Sequence, residues 1–191
     1  RTLDAARPEK MGKRHEKGFR SARENVDDLC DPDSFIEYGQ LVVAAQRQRR
    51  ELDDLIDNTP ADGLIAGFGA INGDEFSEDQ ARAAVLAYDY TVLAGTQGAF
   101  NHKKTDRVLE LAQDWQTPIV FFTEGGGGRP GDTDFAKVQG ATLDVMTFAT
   151  FAKASGVAPR IAVNNGYCFA GNAVLFGCAD VTIATKSSYI G

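Results

Sequence analysis

The chain has 191 residues, 43% hydrophobic and 25% charged, which is the composition of one globular domain with a real core. A formal net charge of −7 argues against nucleic acid as the main partner, and no apolar run approaches the ~20 residues of a membrane span. Cys30, Cys168 and Cys178 make no C-x-x-C pair, so neither a zinc site nor a disulfide framework is expected, and no signal peptide is read.

The charge is uneven, net +4 over residues 1–24 and −11 over the rest. Residues 8–29 read as helical and basic, and Ser21 with Glu24 has the spacing of a capping box for a helix over 22–29, stopped by Asp31-Pro32. A short strand is expected over 34–39, a loop or weak helix over 44–62, and a strand over 63–71 that ends in the hairpin signal Asn72-Gly73. Helical character follows over 77–87, then strand over 88–95. Val108, Leu111, Ala112 and Trp115 recur at helical spacing, which predicts a helix over 101–115 with Trp115 in the core; Thr117-Pro118 ends it. Strands are expected over 119–123, 161–165 and 181–185, and helices over 137–155 and 171–177. Alternating strands and helices in the second half point to the α/β class. The start at Arg1 and the stop at residues 187–191 suggest an excerpt of a longer polypeptide.

Two glycine-rich turns carry the chemistry. An apolar strand runs into Gly125, Gly126, Gly127 and Gly128, followed by Arg129, and a second strand runs through Asn165-Gly166-Tyr167-Cys168-Phe169-Ala170-Gly171 into a small-residue helix. The first turn alone is open to three readings: a flexible loop, a phosphate cradle, or an oxyanion hole of backbone N–H groups. It lacks GxxxxGK[ST] and the GxGxxG order, which weakens the phosphate reading, and the second turn strengthens the oxyanion one.

The stretch 165–180 resembles the NGYALGGGCELAMMCD pattern of the crotonase superfamily, and with it the crotonase/ClpP-like ββα superhelix. Matching positions include Asn165, Gly166, Tyr167, Gly171, Leu175 and Asp180. The hydratases of that superfamily carry a glutamate where this chain has Val174, which cannot transfer a proton. A narrower resemblance covers nearly the whole chain: the carboxyltransferase component of biotin-dependent acyl-CoA carboxylases, of the propionyl-CoA and acetyl-CoA carboxylase beta type. Residues 6–39 resemble that family's opening, 62–73 its DGVVTGxGxxxG, 88–98 its QDFTVxGGSxG, and 123–129 its DSGGAR, with Glu124, Gly125 and Gly128 departing from it. On this resemblance residues 1–35 form a basic N-terminal helical segment, and 36–191 an N-terminal carboxyltransferase domain truncated at its C-terminal end.

The resemblance implies transfer of a carboxyl group from carboxybiotin to the α-carbon of an acyl-CoA, through a thioester enolate held by backbone donors. The biotin nitrogen then accepts the proton, so no side-chain base is needed; His15 and His102 lie away from both turns in sequence. Gly126 and Gly127 are the first choices for donors, then Ala170 and Gly171, with Gly125, Gly128 and Tyr167 lining the substrate. Coenzyme A phosphates need cations; Lys104 is placed first, ahead of Lys103, Arg107, Arg129 and the 1–24 arm. Each of these also reads as an ordinary surface cation, and Arg129 as a structural arginine paired with a carboxylate. Tyr167 reads as core, Asp89 as a candidate catalytic carboxylate, and Asp180 as a turn or cap. Implied partners are a biotin carboxyl carrier domain, a biotin carboxylase and further copies of the chain, in a hexamer. The compartment implied is cytoplasmic, or the mitochondrial matrix in a eukaryote. A biotin-dependent acyl-CoA decarboxylase subunit and a crotonase-type hydratase or isomerase are the alternatives; a non-enzymatic assembly domain is a third.

Overall fold

Strand parity organises the molecule. In the computed structural model, which describes residues 1–134 and 145–191, β2 (Leu64–Ala70) and β3 (Arg82–Tyr88) pair antiparallel over seven residues and are almost entirely buried. Successive side chains of a strand point to opposite faces. Leu64, Ala66 and Phe68 with Ala84, Leu86 and Tyr88 face α5 (Ala99–Asp114), through Val108, Leu109 and Ala112. Ile65 with Ala83, Val85 and Ala87 faces α2 (Ala22–Leu29), through Ala22 and Val26. The sheet is therefore sandwiched between two helices, and the alanines of β3 let both approach closely.

The six-stranded sheet runs β1 (Ile36–Glu37), β2, β3, β4 (Ile119–Phe122), β5 (Arg160–Asn164), β7 (Val181–Ala184). The β1–β2–β3 side is antiparallel, and β3 through β7 is parallel. Parallel neighbours need crossover connections, which α5 supplies between β3 and β4 and α7 (Gly171–Gly177) supplies between β5 and β7. Strands β6 (Tyr167–Cys168) and β8 (Tyr189–Ile190) form a separate parallel pair. The α/β expectation is met. Among the described residues no helix is long and apolar enough to cross a membrane, and no cluster of metal-ligating side chains is present.

The basic arm folds as α1 (Pro8–His15) and α2, and the capping box forms, with Ser21 Oγ accepting from the Glu24 N–H at 3.0 Å and the Ser21 N–H donating to the Glu24 carboxylate at 2.6 Å. The 44–62 stretch yields α3 (Leu52–Asn58) and a 3-10 turn. Four expectations are corrected. The 77–87 segment is helical only in α4 (Glu78–Ala81), whose own capping box joins Ser77 and Gln80; the alanine-rich remainder is β3, because burial between two helices overrides alanine's helix propensity. Strand ends at Tyr88, so residues 89–95 turn instead. Asn72-Gly73 does not close a two-residue hairpin: it opens a longer connection, with the Asp31 carboxylate accepting from the N–H groups of Asn72 (3.1 Å) and Gly73 (2.7 Å). Trp115 packs on Phe68, with ring centroids 4.8 Å apart, yet is 47% exposed at the end of α5 rather than in the core. Of the helix expected over 137–155, α6 (Thr147–Lys153) is present; 137–144 falls outside the described residues.

Candidate active site

The two glycine turns meet. β4 delivers residues 124–128 and β5 delivers 165–171, at the same end of adjacent parallel strands. Gly125 pairs across to β6: its N–H donates to Tyr167 O at 2.7 Å, and its carbonyl accepts from the Phe169 N–H at 2.9 Å. A side chain at Gly125 would run into the Asn172 amide and the Gly95 carbonyl. Gly127 has φ +87°, and a Cβ there would lie 2.7 Å from the Ala170 methyl. Gly128 is open, with nothing near a Cβ. Ala170 itself holds φ 48°, ψ −120°, a conformation costly for a residue with a Cβ. It turns the chain into α7.

Most of the expected donor N–H groups are committed inside the fold. The Gly126 N–H donates to Ala94 O at 3.0 Å, Gly127 to Asn172 Oδ1 at 2.9 Å, and Ala170 to Gly191 O at 2.9 Å. With Gly125 also committed, four of the expected backbone groups are held inside the fold. Those of Gly128 and Gly171 donate to no acceptor among the described residues. Gly128 is exposed and Gly171 half-buried, and Gly171 N lies 3.6 Å from where a Gly127 Cβ would sit. Two unpaired donors thus border the junction of the turns. A third turn supports them: the Gln97 N–H donates to Gly127 O and its carbonyl accepts from the Arg129 N–H, both at 2.8 Å.

Of the expected cations, Lys104 departs from its ligand-facing reading, while Arg129 and Arg107 take their structural and surface readings. Lys104 is buried, its ammonium donating to the carbonyls of Ala61 (3.3 Å) and Leu64, and burial lowers its pKa to about 8. It is therefore not presented to a phosphate. Arg129 is the structural arginine: its guanidinium bridges Asp62 (2.6 Å) and Asp132 (2.7 Å) beneath the turn. Arg107 pairs with Glu110 on the helix surface, and Lys103 lies over the Phe100 ring. The basic arm is different. Lys10, Lys13 and Arg14 of α1, with Lys17, line a pocket of about 260 Å³ whose other wall includes Tyr90, Tyr167 and Glu124. Tyr167 is exposed rather than core, stacked between Phe169 (6.0 Å) and Tyr189 (5.4 Å).

The remaining groups are structural or absent from the junction. His15 contacts Glu24 at the surface, and His102 donates into or accepts from Thr147 Oγ1 at 2.8 Å, with burial lowering its pKa to about 4. Asp89 pairs with Arg7 at 2.9 Å and accepts from Thr91, so it is not free for catalysis. Asp180 caps the start of β5, accepting from the Arg160 N–H at 2.9 Å, as its position suggested. Val174 is 47% exposed on α7 and offers no carboxylate.

Sequence reasoning missed three residues. Asn172 bonds two turns at once, and Gln97 bonds the first turn to Tyr88 Oη (2.9 Å). Glu124, entering the glycines, forms a buried ion pair with Arg14 from 110 residues away; burial pushes its carboxyl up while Arg14 pulls it back. A charged residue inside an apolar-to-glycine transition was the available signal for Glu124. No spacing signal exists for Asn172.

Parallel strands that present paired backbone turns at their C-terminal ends make these turns the candidate main-chain site. Residues 13–191 match the carboxyl transferase domain family, and the chain belongs to it. It is 33% identical over 185 residues to the methylmalonyl-CoA carboxyltransferase 12S subunit of Propionibacterium freudenreichii subsp. shermanii, covering 95% of this chain and 32% of that protein. It is 32% identical over 166 residues to the biotin-dependent long chain acyl-coenzyme A carboxylase beta4 subunit of Mycobacterium tuberculosis, covering 85% and 27%. Among solved structures it superposes on a single-chain, multi-domain long-chain acyl-CoA carboxylase with a TM-score of 0.94 and 56% identity, covering all of this chain and 19% of that one. The fold is that of the crotonase-like carboxyltransferases. The chain spans about a third of the length of the curated relatives it matches.

Proposed function

We propose that this chain belongs to the N-terminal half of the carboxyltransferase of a biotin-dependent acyl-CoA carboxylase. The observation that carries the proposal is the pair of unpaired N–H groups, Gly128 and Gly171, at the junction of two turns in a member of this family. Preorganised backbone donors stabilise a developing oxyanion in a site where water competes poorly; losing one costs about 3 kcal/mol of barrier. Either a thioester enolate or a ureido carbonyl presents such an oxygen, and an exposed glycine with no Cβ in the way admits both.

When bound on its carrier domain, carboxybiotin supplies the carboxyl group and the proton acceptor. The chain's own residues orient and hold charge: Gly128 and Gly171 face the oxyanion, and the aromatic wall of Tyr167 and Phe169 borders it. Lys10 and Lys13 from α1, with Lys17 just beyond it, face the phosphates of coenzyme A in place of Lys104. No unpaired carboxylate or imidazole among the described residues stands at the junction: Glu124 is neutralised by Arg14, and position 174 is valine. Carboxylase and carrier partners, and assembly with further copies of the chain, follow from the same reading.

The test is carboxylation. The complete protein, supplied with a biotinylated carrier, a biotin carboxylase, ATP, bicarbonate and an acyl-CoA, forms the carboxylated thioester, and avidin abolishes the product. Hydration of crotonyl-CoA with no carboxylation would replace this reading with the hydratase.

A further inference from the structure

The side chain of Asn172 bonds beside the two donors without being either of them. Its Oδ1 accepts from the Gly127 N–H at 2.9 Å, and its Nδ2 donates to Gly95 O at 3.3 Å. It is fully buried. Asn172 follows Gly171 in the chain, and Gly127 precedes Gly128. One amide group therefore joins the immediate neighbours of both unpaired N–H groups and adds the third turn through Gly95. The fit leaves no slack: the Gly125 Cα is packed against the Asn172 amide so closely that no side chain is tolerated there. Gly95, with φ +62°, is equally confined, since a Cβ there would meet the Glu124 carbonyl at 2.6 Å.

We infer that Asn172 is a positioning residue that sets the separation of the Gly128 and Gly171 donors, an inference that rests on the oxyanion reading above. The chemistry suits an amide and little else. The site needs an acceptor toward Gly127 and a donor toward Gly95, both neutral, beside a position where negative charge develops. Aspartate keeps the shape and the acceptor. Ionised, however, it loses the donor and opposes the oxyanion; protonated, it restores a neutral donor and acceptor pair.

The experiment uses the complete enzyme with its carrier and carboxylase, comparing wild type, Asn172→Ala and Asn172→Asp. Propionyl-CoA and palmitoyl-CoA serve as probes. Asn172→Ala is expected to lower kcat about 10²-fold, with KM for acyl-CoA within about threefold, because donor alignment matters most in the transition state. Asn172→Asp is expected to recover kcat toward wild type as pH falls from about 8 to about 6 while its folded fraction, read by circular dichroism, stays constant; a kcat that only tracks the folded fraction marks a merely structural asparagine and overturns the inference. Crystal structures of wild type and both variants read the Gly128 N to Gly171 N separation directly, whether or not the protein carboxylates either probe. Widening of that separation in Asn172→Ala supports the inference. An unchanged separation, or an active enzyme whose kcat is the same in all three proteins, overturns it. If Asn172→Ala does not fold, Asn172→Asp decides alone: a pH profile parallel to wild type counts against the inference. A wild type inactive on every thioester defeats the oxyanion reading instead, and the crystallographic separation still decides the role of Asn172.

Discussion

Gly127 and Gly128 are adjacent and chemically identical, yet their surroundings demand opposite responses to one added methyl group. Gly127→Ala meets the Ala170 methyl and must hold φ near +87°. A loss of about 2–4 kcal/mol is expected, read as a lowered urea midpoint. Gly128→Ala meets nothing and keeps its N–H, so stability and activity stay near wild type. Asp62 offers a pH test. It is fully buried beside Arg129 and Asp132, and burial, partly countered by Arg129, raises its carboxyl from 3.8 to about 6. A raised folded-state pKa means the folded protein binds the proton more tightly. The stability this adds is complete below about pH 4 and is lost as pH rises through about 6. Asp62→Asn is expected to flatten that part of the stability curve in urea titrations between those values; an unaltered slope would show that Asp62 does not produce it.

The start of α5 is held from outside the helix. Gly98 has no capping side chain, so the Ala99 N–H donates to Asp132 and the Asn101 N–H to Asp62, both at 2.8 Å, and Arg129 joins the two carboxylates. One network thus caps a sixteen-residue helix and anchors the glycine turn to it. Asp132→Ala removes a cap and leaves a buried guanidinium half-paired, for an expected cost of about 2–4 kcal/mol by denaturant unfolding. The pairing of Arg129 with a carboxylate was legible in the sequence; the caps were not, because they come from residues 33 and 39 positions away. What was legible was local: the Ser21–Glu24 box, the 3.6-residue period of α5, the apolar runs of β4 and β5, and the short helix at 171–177, whose bounds are met. β3 was misread because its alanines favour helix in isolation. Only the two helices packed on its faces, distant in sequence, make strand the better state.

At the scale of the whole molecule, the sequence motifs marked the two turns of the candidate site but not their wiring. Both turns were visible as glycines after strands. Which N–H groups remain open depends on partners such as Ala94, Asn172 and Gly191, and these arrive only through the parallel pairing of β3, β4 and β5 and of β6 with β8. Lys104 shows the same limit. Its place in a helix start resembles a ligand-facing lysine, while the fold turns its ammonium onto buried carbonyls. The charge asymmetry of the chain was legible, and α1 brings Lys10 and Lys13 to a pocket beside Glu124 and Tyr167, although the molecule is acidic overall. Lys13→Glu with Lys17→Glu is expected to raise KM for acyl-CoA about tenfold with little effect on kcat, and the wild-type KM is expected to rise with salt. A KM indifferent to both would remove the arm from the substrate site.

The central claim is that a backbone N–H at Gly128 stabilises the oxyanion. Proline at that position removes the N–H, while alanine retains it and controls for the added side chain. In the complete enzyme, with folding verified by thermal melting, kcat for carboxylation is predicted to fall about 10²–10³-fold in Gly128→Pro and to stay within about threefold of wild type in Gly128→Ala. Equal kcat in the two variants would contradict the account.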